Sequence, residues 1–326
     1  MGAESIVCQK KSLSPKEMNE TDLIIDRIAE LILTCDSILF TSGAGMSVAS
    51  GLGTFRGNTA DIWPPLLQEP KYDYTEICDP VWFCKEQSNS IEHNTANFGY
   101  AFWIYQYHLF TSTTPHHGYL IAKQWSQLDH MKYAFSFTSN IDGHWRKSGW
   151  CDVSILECHG SIDYMQCVRN CCDSVWPTND ALKLNVDPET NCAIDPLPLC
   201  LHCSHLARPN VLMFNDQRYA GERYNEQIDH YEQFKMDIVE TKSKLLIIEL
   251  GAGTTVPSVR NESELVFKNK KWVANFVRIN SSVEHSTIED CYKNKANRLT
   301  LKLTMDALAA MTLIDQALNK KLKTAK

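Results

Sequence analysis

Three short polar strings and one cysteine cluster carry the residue types in this sequence that could do chemistry. The first string is glycine-rich: five of the fourteen glycines fall between Gly43 and Gly57. Gly43-Ala44-Gly45 would let a turn pass close to a diphosphate, and a following helix would point its N-terminal amides at that anion. A plain strand-to-helix turn would use the same glycines. The second string, Thr138-Ser139-Asn140-Ile141-Asp142, sets an amide and a carboxylate at the end of a strand candidate, where ligands bind in open α/β sheets. A polar turn making local backbone bonds would use those residues too. The third, Glu157-Cys158-His159-Gly160-Ser161, ends the next strand candidate. An imidazole titrates near neutral pH and can take a hydroxyl proton at little thermodynamic cost, so His159 is a candidate general base.

Six of the thirteen cysteines lie between Cys167 and Cys203. Cys200 and Cys203 form a Cys-x2-Cys pair, a tight turn that presents two thiolates to one ion. Upstream, Cys167 pairs with Cys171 or with Cys172. Cys167, Cys171, Cys200 and Cys203 make one four-thiolate set, and Cys172 is the alternative to Cys171. Four thiolates suit tetrahedral zinc, and a closed shell is structural rather than catalytic. Buried, redox-active thiols are the competing explanation.

These strings need a scaffold. Apolar residues at Leu23, Ile24, Ile28, Leu31 and Ile32 give helical spacing over 21–34, with Asn19 or Thr21 as cap. Strand candidates follow at 37–40, 132–138, 152–158, 245–250 and 274–279, and a helix at 224–241 lies between two of them. Strand and helix alternate, which predicts a parallel sheet. The tail from Leu299 is read as ending in a helix, 306–322. Residues 58–114 are rich in aromatics without a clear strand, and are read as a helical insert whose aromatic stripe is its own core. Residues 164–205 stand outside the alternation and hold the cysteines. The predicted fold class is α/β: a Rossmann-like parallel sheet (residues 20–57, 115–163 and 206–326) with a helical insert (58–114) and a small zinc-binding module (164–205).

Bulk properties narrow the partners. The net charge of −7 and pI near 5.9 give no global field for nucleic acid or an anionic membrane. No apolar run approaches the ~20 residues of a membrane helix. Met1 to Lys11 has no apolar stretch of signal-peptide type, and Ile6 stands where a myristoylation signal wants Ser or Thr. A cytoplasmic or nuclear location with reduced thiols is expected, so a metal explains the cysteine cluster better than disulfides.

The strings also resemble the signatures of one family, the sirtuins, in family order from Gly43 to Asn280. The run from Gly43 to Gly57 is similar to Gly-Ala-Gly-x-Ser followed by Ser-Gly-Ile-Pro-x-Phe-Arg, with Gly53 in the proline position. The second string resembles Thr-Gln-Asn-Ile-Asp, with Ser139 for the glutamine. The third resembles Leu-His-Gly-Ser. Ala207 to Asp216 resembles Arg-Pro-x-Val-Val-x-Phe-Gly-Glu, with Asn215 for the glycine and Asp216 for the glutamate. Gly251-Ala252-Gly253-Thr254-Thr255-Val256-Pro257 resembles the Gly-Thr-Ser stretch at the adenosine half, and Arg278-Ile279-Asn280 the strand beside the adenosine ribose.

The resemblance implies NAD and zinc as cofactors. It implies NAD contacts from Gly43, Ala44, Gly45, Phe55, Arg56, Ser139, Asn140, Asp142, Gly251, Gly253 and Asn280. Asn140 would orient the ribose, Asp142 would hold the nicotinamide carboxamide, and His159 would be the general base. Val211, Leu212 and Phe214 would wall an acyl-lysine tunnel, the substrate backbone adding a strand. The implied reaction is NAD-dependent deacylation of a protein lysine, with an acylated protein as substrate partner and nicotinamide and O-acyl-ADP-ribose as products. Two rivals keep the same residues: an NAD hydrolase or mono-ADP-ribosyltransferase, and a non-catalytic NAD-binding interaction module.

Overall fold

Asn19 accepts the Asp22 amide at 2.9 Å and so opens the first helix of the chain. That bond satisfies one of the amides a helix start leaves without a partner. The computed structural model describes residues 19–54, 63–67, 73–85, 95–289 and 298–324. Phe55 and Arg56 lie outside the described residues, as does part of the 58–114 segment.

The strands are β1 (Ser37–Ser42), β2 (Tyr133–Thr138), β3 (Ile155–Glu157), β4 (Gly160–Cys167), β5 (Val175–Pro177), β6 (Val186–Asp187), β7 (Cys192–Ala193), β8 (Ala207–Val211), β9 (Lys244–Leu250), β10 (Val273–Asn280) and β11 (Thr300–Thr304). The helices are α1 (Glu20–Thr34), α2 (Tyr74–Ile77), α3 (Ala96–Ser112), α4 (His117–Ser126), α5 (His144–Lys147), α6 (Glu222–Thr241), α7 (Ser258–Lys268), α8 (Val283–Ser286) and α9 (Ala307–Thr324). None is long and apolar enough, among the described residues, to cross a membrane.

The large sheet is parallel throughout, in the order β11-β10-β9-β1-β2-β3. Counting only its own strands along the chain, that is the Rossmann order 3-2-1-4-5-6 read from the other edge. Its central strands read as continuous apolar runs because both faces are covered. On one face, Ile28, Ile32, Trp125, Met311 and Ile314 of α1, α4 and α9 pack against Ile38, Phe40, Leu246 and Ile248. On the other, Tyr231, Phe234 and Ile238 of α6 and Val266 and Phe267 of α7 pack against Leu39, Phe135, Leu245 and Ile247. Each such side chain contributes roughly 1.5–3 kcal/mol when fully buried.

All five predicted strands are in this sheet. The sixth, β11, falls within the tail that the sequence reading carried straight to a helix. It is an edge strand whose residues are mostly partly exposed, so it lacks the apolar run of a buried strand.

The aromatic segment and the cysteine segment share one core. Trp63, Trp82, Phe98 and Phe102 are buried in the same cluster as Leu182, Cys192, Leu197 and Ala207. A polar tie crosses between them, Asn97 Nδ2 donating to the Ala193 carbonyl at 2.8 Å, and Tyr100 Oη reaches the start of β8, donating to the Ala207 carbonyl at 2.5 Å. The aromatic stripe is therefore core.

Candidate active site

The chain leaves β1 for β2 on one side and later returns to β9 on the other. The carboxyl ends of these three adjacent strands, at Ser42, Thr138 and Leu250, therefore frame the switch point of the sheet, where a doubly wound fold leaves a crevice. Gly43, Ser139 and Gly251 are the next residues along each strand.

The first turn is shaped by its neighbour. Gly43 N donates to the Leu250 carbonyl at 3.0 Å and Gly45 N to the Gly251 carbonyl at 3.1 Å. A Cβ on Gly45 would stand 2.7 Å from the Gly251 Cα, and one on Gly43 would stand 2.9 Å from the Gly251 oxygen. The glycines thus let two turns lie backbone against backbone. The sequence reading expected an α-helix directly after this turn, and the structure corrects it. Two 3-10 turns follow, Ala44–Met46 and Val48–Ser50, and Gly51 ends the second with φ 91°, a left-handed conformation. Fewer amides point outward from such turns than from a helix N-terminus.

Ser47 ties the first and second strings together. Its hydroxyl donates to Asp142 Oδ2 at 2.6 Å and accepts from Asn140 Nδ2 at 3.0 Å. Tyr119 Oη lies 2.9 Å away. A hydroxyl has one hydrogen and two lone pairs, so with its hydrogen on Asp142 it accepts from Tyr119. Asn140 Nδ2 also donates to the Gly43 carbonyl at 3.1 Å, which engages both amide hydrogens. Asp142 Oδ1 accepts the His144 amide at 2.9 Å. Each carboxylate oxygen keeps a further lone pair. Ser47, Tyr119, Asn140, Asp142 and His144 are all buried.

A small cavity adjoins this network. Ala44, Ser47, Leu52 and Gly53 line one wall, Asn140, Ile141 and Asp142 another, and Gln106, Leu109 and Phe110 of α3 a third. A larger groove of about 490 Å³ lies elsewhere, between α6 and Asn269–Trp272, and none of the three carboxyl strand ends lines it.

His159 follows the end of β3. Its Nε2 is 3.0 Å from Ser258 Oγ at the start of α7. Burial pushes its pKa below the ordinary 6.5, and the Ser139 backbone offsets this in part. The ring is held neutral at physiological pH, as a proton acceptor must be. Next to it, Glu157 binds both Arg146 Nη2, at 3.0 Å, and Arg223 Nη2. This buried carboxylate and two partly exposed guanidinium groups tie the strand end to α5 and α6.

Gly43, Ala44, Gly45, Asn140, Asp142 and Gly251 meet at the switch point, with Ser139 at its rim. Gly253 is partly exposed in the loop after β9. Asn280 is buried and turned inward: Nδ2 donates to the Ala252 carbonyl at 3.0 Å and Oδ1 accepts the Ser282 amide at 3.0 Å. Val211 is buried, Leu212 is 40% exposed, and Phe214 packs edge-on against Tyr74 with ring centres 6.1 Å apart. Leu212 N donates to the His159 carbonyl at 2.9 Å, joining this segment to the base. Asn215 has φ 57°, and its Nδ2 donates to Asp79 Oδ2 at 3.0 Å. Asp216 is fully buried against Arg208, at 2.7 Å.

Tyr119, His144 and the α3 wall were not singled out in the sequence. One signal was available for α3: Gln106 is a buried amide on a mostly apolar helix, spaced three and four residues from Leu109 and Phe110.

The cysteine cluster is a separate centre. The sulfurs of Cys167, Cys171, Cys200 and Cys203 all lie within 4.8 Å of one another. Cys167 Sγ is 3.6 Å from Cys203 Sγ, and Cys171 Sγ is 3.7 Å from Cys200 Sγ. A regular zinc–thiolate tetrahedron with ~2.3 Å bonds has edges of about 3.8 Å, so the four sulfurs fit one ion. Cys172 Sγ stands beside Cys171, at 3.8 Å, but outside the set. The Cys200–Cys203 turn is closed by Ser204 N on the Cys200 carbonyl at 3.1 Å.

Comparison with known proteins agrees with this geometry. A probable bifunctional ADP-ribose hydrolase/ADP-ribosyltransferase of Fusarium oxysporum f. sp. cubense is 30% identical over 261 residues, 76% of this chain and 40% of that protein. An NAD-dependent protein deacetylase of Caldivirga maquilingensis is 28% identical over 195 residues, 58% of this chain and 63% of that one. The chain thus spans less than two thirds of either relative. Among solved structures, a Sir2 homolog–NAD complex superimposes with a TM-score of 0.61 at 19% identity, over 91% of this chain and 94% of that one. The model of the Sir2 family matches residues 43–245. The chain belongs to the Sir2 family, the sirtuins.

Proposed function

We propose that this protein is an NAD⁺-dependent protein-lysine deacylase. The observation that carries the reading is His159, kept neutral by burial at one strand end, beside the Asn140–Ser47–Asp142 network at the next. NAD⁺, when bound, supplies a nicotinamide–ribose bond whose cleavage drives the reaction. The lone pairs left on Asp142 would accept the carboxamide N–H groups, and Asn140 would offer Oδ1 to a ribose hydroxyl. Gly43, Ala44, Gly45, Gly251 and Gly253 would face the rest of the dinucleotide, with Ser139 at the ribose. His159 Nε2 would then take a ribose hydroxyl proton as the acyl group moves to that oxygen. The products would be free lysine, nicotinamide and O-acyl-ADP-ribose.

In this reading the acylated substrate pairs with the backbone after β8, and exposed Leu212 flanks the acyl chain. Residues 20–57, 115–163 and 206–326 would form the cofactor lobe. Segments 58–114 and 164–205 would form the helical insert and the zinc-binding module, and they contribute to one core. Cys167, Cys171, Cys200 and Cys203 would hold a structural zinc there.

A second reading has a specific observation in its favour. The relative with 30% identity is named an ADP-ribose hydrolase/ADP-ribosyltransferase. On this reading the same residues cleave NAD⁺, and water or a protein side chain takes the ADP-ribose.

Nicotinamide release from NAD⁺, with acyl-lysine peptides titrated in, decides between them. A deacylase needs the peptide and saturates with it. Full release without peptide would overturn the deacylase reading and leave the Sir2 fold untouched.

A further inference from the structure

We infer that Ser258 is a positioning residue for His159, holding the imidazole in register in both of its protonation states. The inference rests on His159 acting as the base. Ser258 is the first residue of α7, immediately after Pro257, so helix and proline together constrain the backbone from which its hydroxyl projects. That hydroxyl lies 3.0 Å from Nε2, although 99 residues separate the two in the chain. The Ser139 backbone at the end of β2 also acts on the ring, favouring its protonated form. The ring cannot turn without losing the Ser258 contact.

The choice of a hydroxyl has a chemical consequence. The Ser139 backbone favours the protonated ring, as a carbonyl facing a ring N–H would. In the neutral ring Nε2 is then the acceptor, and Ser258 donates to its one lone pair until the ribose hydroxyl displaces it. When the substrate proton arrives on Nε2, the ring becomes a donor on both sides. A serine hydroxyl rotates and accepts, which neither a carbonyl nor an ammonium could do in both states. The bond to the cation is charge-assisted and about twice as strong as the neutral one. Ser258 therefore favours proton uptake. Burial and the Ser139 backbone are the other influences on the ring, and no charged neighbour enters among the described residues. Both His159 and Ser258 are partly exposed, so substrate can reach them.

The test compares Ser258→Val with Ser258→Thr in the full chain, with NAD⁺ and an acetyl-lysine peptide. The two replacements have nearly the same shape, and only threonine keeps the hydroxyl. Two rates are read: exchange of labelled nicotinamide into NAD⁺, which precedes the base, and formation of deacetylated peptide, which requires it. Ser258→Val should keep exchange within about twofold and lose about tenfold in product formation, the effect of one net hydrogen bond. Its His159 ring, followed by NMR, should titrate at lower pH than in Ser258→Thr, which should resemble the wild type. Equal titration midpoints in the two variants, or an unchanged ratio of product to exchange, would overturn the inference. If the valine variant does not fold, Ser258→Ala against Ser258→Thr is read in the same way. Wild-type protein that exchanges nicotinamide without any need for peptide would undo the deacylase reading instead. The NMR comparison would still decide the role of Ser258.

Discussion

Gly45 and Gly251 touch backbone to backbone, and that contact brings the ends of β1 and β9 together at the switch point of the sheet. Gly251 also has φ 60°, a left-handed conformation. Gly251→Ala should therefore cost roughly 2–5 kcal/mol, combining left-handed strain with overpacking against Gly45. Urea unfolding measures this directly. Gly51 is also left-handed but has open space around it, so Gly51→Ala should cost only the strain, about 1–2 kcal/mol.

The sulfur geometry implies about one zinc per chain. Cys200→Ser should lower both metal content and melting temperature, because binding energy at such a site is folding energy. Cys172→Ser should change neither, since its thiol stands outside the tetrahedral set. Metal analysis beside thermal melts of both variants gives the answer. A metal-free wild-type protein of undiminished stability would refute the site.

Replacing His159 with Ala should leave NAD⁺ affinity nearly intact while slowing product formation ~10²–10⁴-fold, the usual contribution of a positioned base. Nicotinamide exchange should survive better, since it comes before the proton transfer. Wild-type turnover in this variant would make the residue structural.

Asn215 occupies a left-handed position that asparagine tolerates and glycine prefers. Its side chain projects to Asp79 at the edge where a substrate strand would add. Asn215→Gly should lower the half-saturating concentration of acyl-peptide a few-fold with NAD⁺ fixed. No change would separate this edge from substrate binding.

His116, His144 and His159 are all held below their ordinary value near 6.5, burial being the largest cause for each. On acidification the unfolded chain takes up these protons first, so stability falls. The histidine contribution should be complete above about pH 6.5 and drain away as pH falls through the folded-state values. Urea midpoints at pH 7.5 and 5.5 test it: the lower pH should give the lower midpoint. Equal midpoints would mean that the folded and unfolded chains take up the same number of protons between those two pH values.

What the sequence determined by itself was local. Apolar runs and helical spacing located α1, α6, α9 and five of the six sheet strands, because burial on both faces of a parallel sheet writes itself into consecutive residues. It also carried the glycine turn, the two polar strand ends and the cysteine density. Tertiary structure decided everything that depends on elements meeting. Edge strand β11 needs little apolar sequence, so only its pairing with β10 revealed it. Cys171 and Cys172 are neighbours of identical chemistry, and the direction of each side chain against Cys200 separates them. Asn280 is adjacent to the site in the fold, yet the Ala252 carbonyl and the Ser282 amide have already engaged its amide group. The contacts of Tyr119 with Ser47 and of Ser258 with His159 span 72 and 99 residues. No spacing rule reaches so far, because such distances close only when the sheet sets its strand ends side by side.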